Sequence, residues 1–142
     1  MDWRKHISAL SPVVGFSPPV RPEEICDAEA KLDVIFPGDL KELLGQSNGL
    51  AYCGASLIWS ADEIVRQNLD MRTERGFRSL FLPFDALLFF GDDANGDLFF
   101  FPILDGETGH GSVFRWDHET DSRILQEHNL KTFVDKFITP IS

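Results

Sequence analysis

Cysteine is scarce. Cys26 and Cys53 are the only two in 142 residues, and neither sits in a Cys-x-x-Cys or near a His at ligand spacing. That excludes a disulfide framework and a zinc ribbon, and Cys26 reads as a small core residue on a helix. Long hydrophobic runs are missing too. No stretch approaches the roughly 18 apolar residues of a membrane span. The apolar part of MDWRKHISAL is too short for a secretory leader and runs into SPVV rather than a small-residue cleavage site. The expected location is the cytoplasm. Basic residues are few: 13 Lys and Arg stand against 23 Asp and Glu, a net charge of -10. Such a field repels phosphate backbones and anionic lipid, so it argues against nucleic-acid and membrane partners and favours a basic one. Repeats, low-complexity tracts and linkers are absent as well.

What remains is ordinary globular material, 43% hydrophobic and 25% charged, with an unusual load of 13 Phe. A chain of this length fits one domain, residues 1–142, and buries roughly two-thirds of its surface without a staple. Residues 1–21 read as a short helix and a loop. Asp2 can cap Trp3, Ile7 and Leu10 on one helical face, and SPVVGFSPPVRP then breaks it. Pro22, Glu23 and Glu24 open a second helix. FPGDLKELLGQSNG reads as a third, with Pro37 at its start and Asn48-Gly49 stopping it in left-handed geometry. Ser56 to Trp59 is a short strand. Ser60 and Glu63 form a capping box for a helix to about Arg72. MRTERGFRSL, with Arg72, Arg75 and Arg78, reads as an exposed loop. Strands follow at Ala86–Phe90, Leu98–Ile103 and Ser112–Asp117, with an edge strand at Arg123–Gln126. NLKTFVDKFI closes the chain as a helix capped by Asn129. Helices, then a meander, then a helix, predict a single-domain α+β fold, mainly antiparallel sheet packed with helices.

FFGDDANGDLFFFP, from Phe89 to Pro102, admits three readings. As an EF-hand with Gly96 at its sixth position, it would begin at Gly91 and end at Pro102, where a carboxylate and a bidentate Glu belong. As a catalytic carboxylate cluster, Asp92, Asp93 and Asp97 lack companions. No Gly-x-Ser-x-Gly, His-Glu-x-x-His or phosphate-cradling glycine loop exists. His110 and His118 fall near the two ends of one strand, roughly 25 Å apart at about 3.3 Å per residue. As a hairpin, Asn95-Gly96 is the strongest short signal, both residues being expected at positive φ. The hairpin reading needs least. The sequence thus predicts no catalytic residue, no metal and no cofactor. Its structural turn residues are Asn48, Gly49, Gly91, Asn95 and Gly96. The unalternated Phe runs predict strands covered on both faces, or one face left for a partner. Asp92, Asp93, Asp97, Asp117 and Glu119 are read as exposed acids that face a partner, Asp117 equally well as a cap of the following turn, with Trp59 beside them as an interface residue or, more often for such a position, a core one. On that reading, Asp92, Asp93 and Asp97 can all become Asn without harm to the fold.

The order of the pieces carries more than any one of them. Glu23-Glu24-Ile25 with Glu29-Ala30-Lys31-Leu32, then Phe36 to Leu44, then Ser47-Asn48-Gly49, resembles the first half of the SMI1/KNR4, or SUKH, family. Ser60 to Ile64 resembles its capped middle helix. Phe90 to Asp93 with Asn95 to Phe99 resembles its glycine-acid hairpin. Val113 to Thr120 resembles a strand ending in an aromatic and an acid, and Phe133 to Ile138 the closing helix. The likeness spans about Pro22 to Ile138. It implies an α+β fold without a conserved enzyme site. It also implies a binding role: bacterial members are proposed immunity proteins that neutralise a toxin domain, often a nuclease, and fungal relatives regulate cell-wall synthesis and signalling. These 142 residues leave no room for the long extensions of the fungal proteins, which favours the bacterial role. A regulatory scaffold is the alternative, and a small ligand-binding protein or enzyme a distant one. The oligomeric state is not legible.

Overall fold

A computed structural model describes residues 1–109 and 111–138, with the backbone alone at Arg78. His110 lies outside the described residues. The elements run α1 (Trp3–Leu10), β1 (Gly15–Phe16), α2 (Pro22–Leu32), α3 (Gly38–Leu44), β2 (Leu50–Tyr52), β3 (Ala55–Ile58), α4 (Ala61–Thr73), α5 (Arg75–Leu80), β4 (Leu87–Asp92), β5 (Leu98–Pro102), β6 (Val113–Trp116), β7 (Arg123–Glu127) and α6 (Leu130–Phe137). The caps that the sequence announces are made. The Asp2 carboxylate accepts from the Lys5 amide at 3.1 Å, Ser60 Oγ from Glu63 at 3.2 Å, and Asn129 Oδ1 from Thr132 at 2.8 Å. Each satisfies a helix-terminal amide that would otherwise lack a partner.

The strands form two antiparallel sheets, β1-β2-β3 and β4-β5-β6-β7, the α+β arrangement expected, with β7 at the edge. They meet along β3 and β4. The Trp59 amide donates to the Phe90 carbonyl at 2.7 Å. Gly91 lies so close to β3 that a Cβ there would stand 1.9 Å from the Leu57 oxygen. The same edge of β4 is held by Asn68, wholly buried on α4. Its amide nitrogen donates to the Ile64 and Phe89 carbonyls at 2.7 and 2.8 Å, and its oxygen accepts from the Phe89 amide at 2.8 Å. One side chain thereby does what a neighbouring strand would do, which closes an edge otherwise open to pairing.

The phenylalanines do not alternate with polar residues because both faces of the larger sheet are covered. On one face Phe90 and Phe99 meet Phe133 of α6, and Phe90 stacks on Phe101 at 4.3 Å. On the other, Phe89 meets Phe84, Phe100 and Trp116 edge-to-face at 5.4–6.0 Å, and Phe84 meets Trp116 at 5.3 Å. Edge-to-face ring pairs add to the area they bury.

Four local expectations are corrected. MRTERGFRSL is helical: α4 continues to Thr73, and Glu74 caps α5 by accepting from the Gly76 amide at 3.3 Å. Its polar appearance hides Phe77, which packs on Phe81 just past its end and on Phe84, Phe81 and Phe84 also being in contact. Cys26 is exposed, because Ile25, Ala28 and Leu32 take the inward stripe of α2. The third helix ends at Gly45, not at Asn48-Gly49. Asn48 Oδ1 instead accepts from the Ala61 amide at 2.9 Å, adding a cap to α4, while Gly49 holds the left-handed position with φ 103°. Gly91 belongs to β4 at a bulge and not to the turn.

Candidate functional site

The β4–β5 hairpin tip and the β6–β7 turn stand side by side. Positive φ falls on Ala94 (69°) and Gly96 (101°), not on Asn95. The turn is built around the two preceding acids. Asp92 Oδ1 accepts from the Ala94 amide at 3.0 Å and Asp93 Oδ1 from the Asn95 amide at 2.9 Å. These are Asx-type bonds, which let a short side chain replace a backbone turn bond.

The remaining carboxylate oxygens are also engaged. Asp92 Oδ2 accepts from the Trp59 indole at 2.8 Å, which ties the tip to the end of β3. Arg115 donates to Asp93 at 2.8 Å and to Asp97 at 2.9 Å while its guanidinium lies 5.1 Å from the Phe99 ring centre. Asp97 Oδ1 is 2.6 Å from His118 Nδ1. Asp117 caps its own turn by accepting from the Glu119 amide at 2.9 Å. Trp116, buried, donates its indole N–H to Asp121 at 2.7 Å, and Asp121 also accepts from Leu82 and Arg123. Asp92, Asp93 and Asp97 are therefore half-buried structural groups rather than the exposed acids expected from sequence, Asp117 takes the turn-capping place of its two readings, and Trp59 is core. Of the six residues singled out for a partner, Glu119 alone is exposed. Replacing Asp92, Asp93 and Asp97 together by Asn would strip Arg115 of both anions, so that substitution is expected to cost stability.

Oxygens of Asp97 and Asp117 and a ring nitrogen of His118 lie within 4.8 Å of one another, the one such trio among the described residues. Arg115 already sits against Asp97, and a second cation there would meet like charge. Sequence reasoning passed over Arg115, Asp121 and Asn68. Arg115 had a signal in its place on a strand opposite the acidic turn. Asn68 had none.

The His118–Asp97 pair sets a pH dependence. The hydrogen bond to Asp97 holds His118 above the ordinary 6.5, with help from the Asp117 and Glu119 charges. Burial pushes Asp97 up, but hydrogen bonds from His118 and Arg115 outweigh it and hold the carboxyl below the ordinary 3.8. The His118 contribution is full below 6.5 and fades as pH rises through its elevated value. The Asp97 contribution is full above 3.8 and fades as pH falls through its depressed value. The pair is strongest between 3.8 and 6.5. We expect His118→Gln to cost more stability at about pH 5 than at about pH 8.5, measured by urea melts. A cost independent of pH would contradict the pairing. Gly96→Ala meets two obstacles, φ 101° and a new Cβ 2.8 Å from the His118 ring. It should cost on the order of 1 kcal/mol or more, and an unchanged melting temperature would count against this turn geometry.

This arrangement of a capped α4, an acidic hairpin at the sheet edge and a closing aromatic helix agrees with a comparison against known families. The family model SUKH_6, described as SMI1-KNR4 cell-wall, matches residues 22–134. The chain belongs to the SMI1/KNR4 (SUKH) family. A segment of 53 residues is 43% identical to the uncharacterized protein YnaB of Bacillus subtilis (strain 168), covering 37% of each chain. The match thus spans little more than a third of that relative's length. Among the described residues, no helix of this SUKH protein is long and apolar enough to cross a membrane.

Proposed function

We propose that this SUKH protein is a non-enzymatic binding protein of the immunity type, acting in the cytoplasm as one domain over residues 1–142 and neutralising a basic toxin domain. The observation that carries the reading is the net charge of -10. A nuclease holds nucleic acid in a basic groove, and a strongly acidic protein is steered to such a groove and competes for it. The hairpin carboxylates contribute to that field even while bonded internally, since hydrogen bonding to Arg115 and His118 leaves a surplus of negative charge at the tip. The alternative, a regulatory scaffold of the cell-wall type, draws on the description of the matched family.

The test is capture with the purified chain as bait, followed by expression of the captured protein alone. The expected partner is a single basic domain held in stoichiometric amount, which stops growth when produced alone and ceases to do so when this chain is co-produced. A captured partner that is harmless on its own would favour the regulatory reading.

A further inference from the structure

We infer that the face formed by Ile35, Glu107 and Leu104 is the docking surface for a basic protein partner, taking apolar side chains on Ile35 and Leu104 and Lys or Arg on Asp33, Asp105 and Glu107. The inference rests on the proposed binding role and deepens it by assigning the surface.

Leu104 is the most exposed large hydrophobic residue among those described, at 78%, and Ile35 is 51% exposed. They are neighbours by construction. Glu107 is bridged to Leu104 on one side and to Ile35 on the other. Cross-strand neighbours project to the same face, so the three side chains stand in a row. The row is rigid. Leu104 and Glu107 exchange two backbone bonds at 2.8 and 3.0 Å around Asp105 (φ 53°) and Gly106 (φ 76°), a turn with both central residues left-handed. The Ile35 amide donates to the Gly106 carbonyl at 2.8 Å, and its carbonyl accepts from Thr108 Oγ1 at 2.9 Å. Nothing in core packing calls for Leu at an exposed turn flank. A preformed site that loses little freedom on binding does.

Charge selects the occupant. A cleft of about 480 Å³ beside the row is edged by Glu29, Asp33, Asp105 and Glu107. Glu29 is committed: it accepts from the Phe36 amide at 2.7 Å and lies 3.6 Å from Lys41. Asp33, Asp105 and Glu107 have no side-chain ion pair among the described residues. The hairpin acids differ in this respect. Asp93 and Asp97 would have to give up Arg115 before gaining a partner's cation, an exchange with little net gain. Unpaired acids around an apolar centre match an interface core with a polar rim. The ridge at Leu80 and Leu82 is also exposed, but Arg72 lines the cleft at Leu82 with Asp85, while Asp70 and Glu74 line that at Leu80, so the ridge offers no single sign of charge.

The probe is a short synthetic amphipathic helix with leucines on one face flanked by arginines, titrated into the isotope-labelled chain. Amide shifts are expected to cluster at residues 26–37 and 103–109. Bound peptide should slow alkylation of exposed Cys26, which lines the cleft, and leave that of Cys53 unchanged. Ile35→Ser with Leu104→Ser should weaken binding by about tenfold or more, as loss of a central anchor does. Asp33→Asn, Asp105→Asn and Glu107→Gln together should weaken it at low salt and flatten its salt dependence. The first two sit at φ 53°, where Asn is well tolerated, so folding is retained. Shifts confined to residues 92–97, 117–119 or 77–82, or no shifts at all, would overturn the surface. If a captured toxin binds the Ser double variant as tightly as the wild type, the surface is wrong and the binding role stands. If the peptide maps to this face but no partner is captured, the surface stands and the immunity role fails.

Discussion

Gly91→Ala is expected to lower the melting temperature by about 10 °C or more, on the scale of a few degrees per kcal/mol for a domain of this size. The cause is steric. A Cβ at residue 91 would lie 1.9 Å from the Leu57 oxygen, 2.7 Å from its carbonyl carbon and 3.3 Å from the Ser56 oxygen. All three are backbone atoms of β3, so no side chain can swing aside. Relief requires β3 and β4 to part, and with them the bond from the Trp59 amide to Phe90. Overpacking of this kind costs roughly 1–3 kcal/mol and more where the neighbour cannot yield. Gly38→Ala is the control, since a Cβ there meets nothing within 4 Å on the first residue of α3. It should be neutral or slightly stabilising. Equal melting temperatures for the two variants would contradict the close approach of the sheets.

Asn68→Ala should cost on the order of 3 kcal/mol, because it strands both the N–H and the C=O of Phe89, each at about 1–3 kcal/mol when buried without a partner. Asn68→Asp should be no better. It keeps the acceptor for the Phe89 amide at 2.8 Å but loses the donor to Ile64 and Phe89, and it places a carboxylate where the side chain is wholly buried. Hydrogen exchange gives the sharper reading. In Asn68→Ala the Phe89 amide should exchange by local opening, well before the Phe99 to Phe101 amides. Phe89 protection equal to theirs would show that another group replaces Asn68.

Local chemistry was largely legible in the sequence. Asp2, Ser60 and Asn129 cap the helices they appear to cap, because a cap bond spans three residues and needs nothing from the rest of the chain. The four strands from Leu87 to Glu127 and the closing helix follow their hydrophobic patterns. The strands β1 and β2 were not visible, being two and three residues long and defined by their partners alone. Helix α5 was hidden because Phe77 and Leu80 are its only large apolar residues, and the ring cluster that Phe77 joins with Phe81 and Phe84 is completed by Trp116, far along the chain. The acidic tip was read correctly as a hairpin, and its acids wrongly as exposed. The place of Arg115 on a neighbouring strand was the one signal, and it becomes a contact with Asp93 and Asp97 only once the register of β5 and β6 is known. Leu104 with Asp105-Gly106 carried a hairpin signal of its own, overshadowed by the larger acidic run.

This SUKH protein is proposed to meet a basic partner through its charge. The direct measurement is the association rate between the chain and its captured partner as a function of salt. The predicted result is a rate that falls steeply, by about tenfold or more between low and high ionic strength, as screening shortens to a few Å. Loss of the Asp33, Asp105 and Glu107 charges should flatten that slope. A rate that is the same at every salt concentration for the wild-type chain would contradict the account.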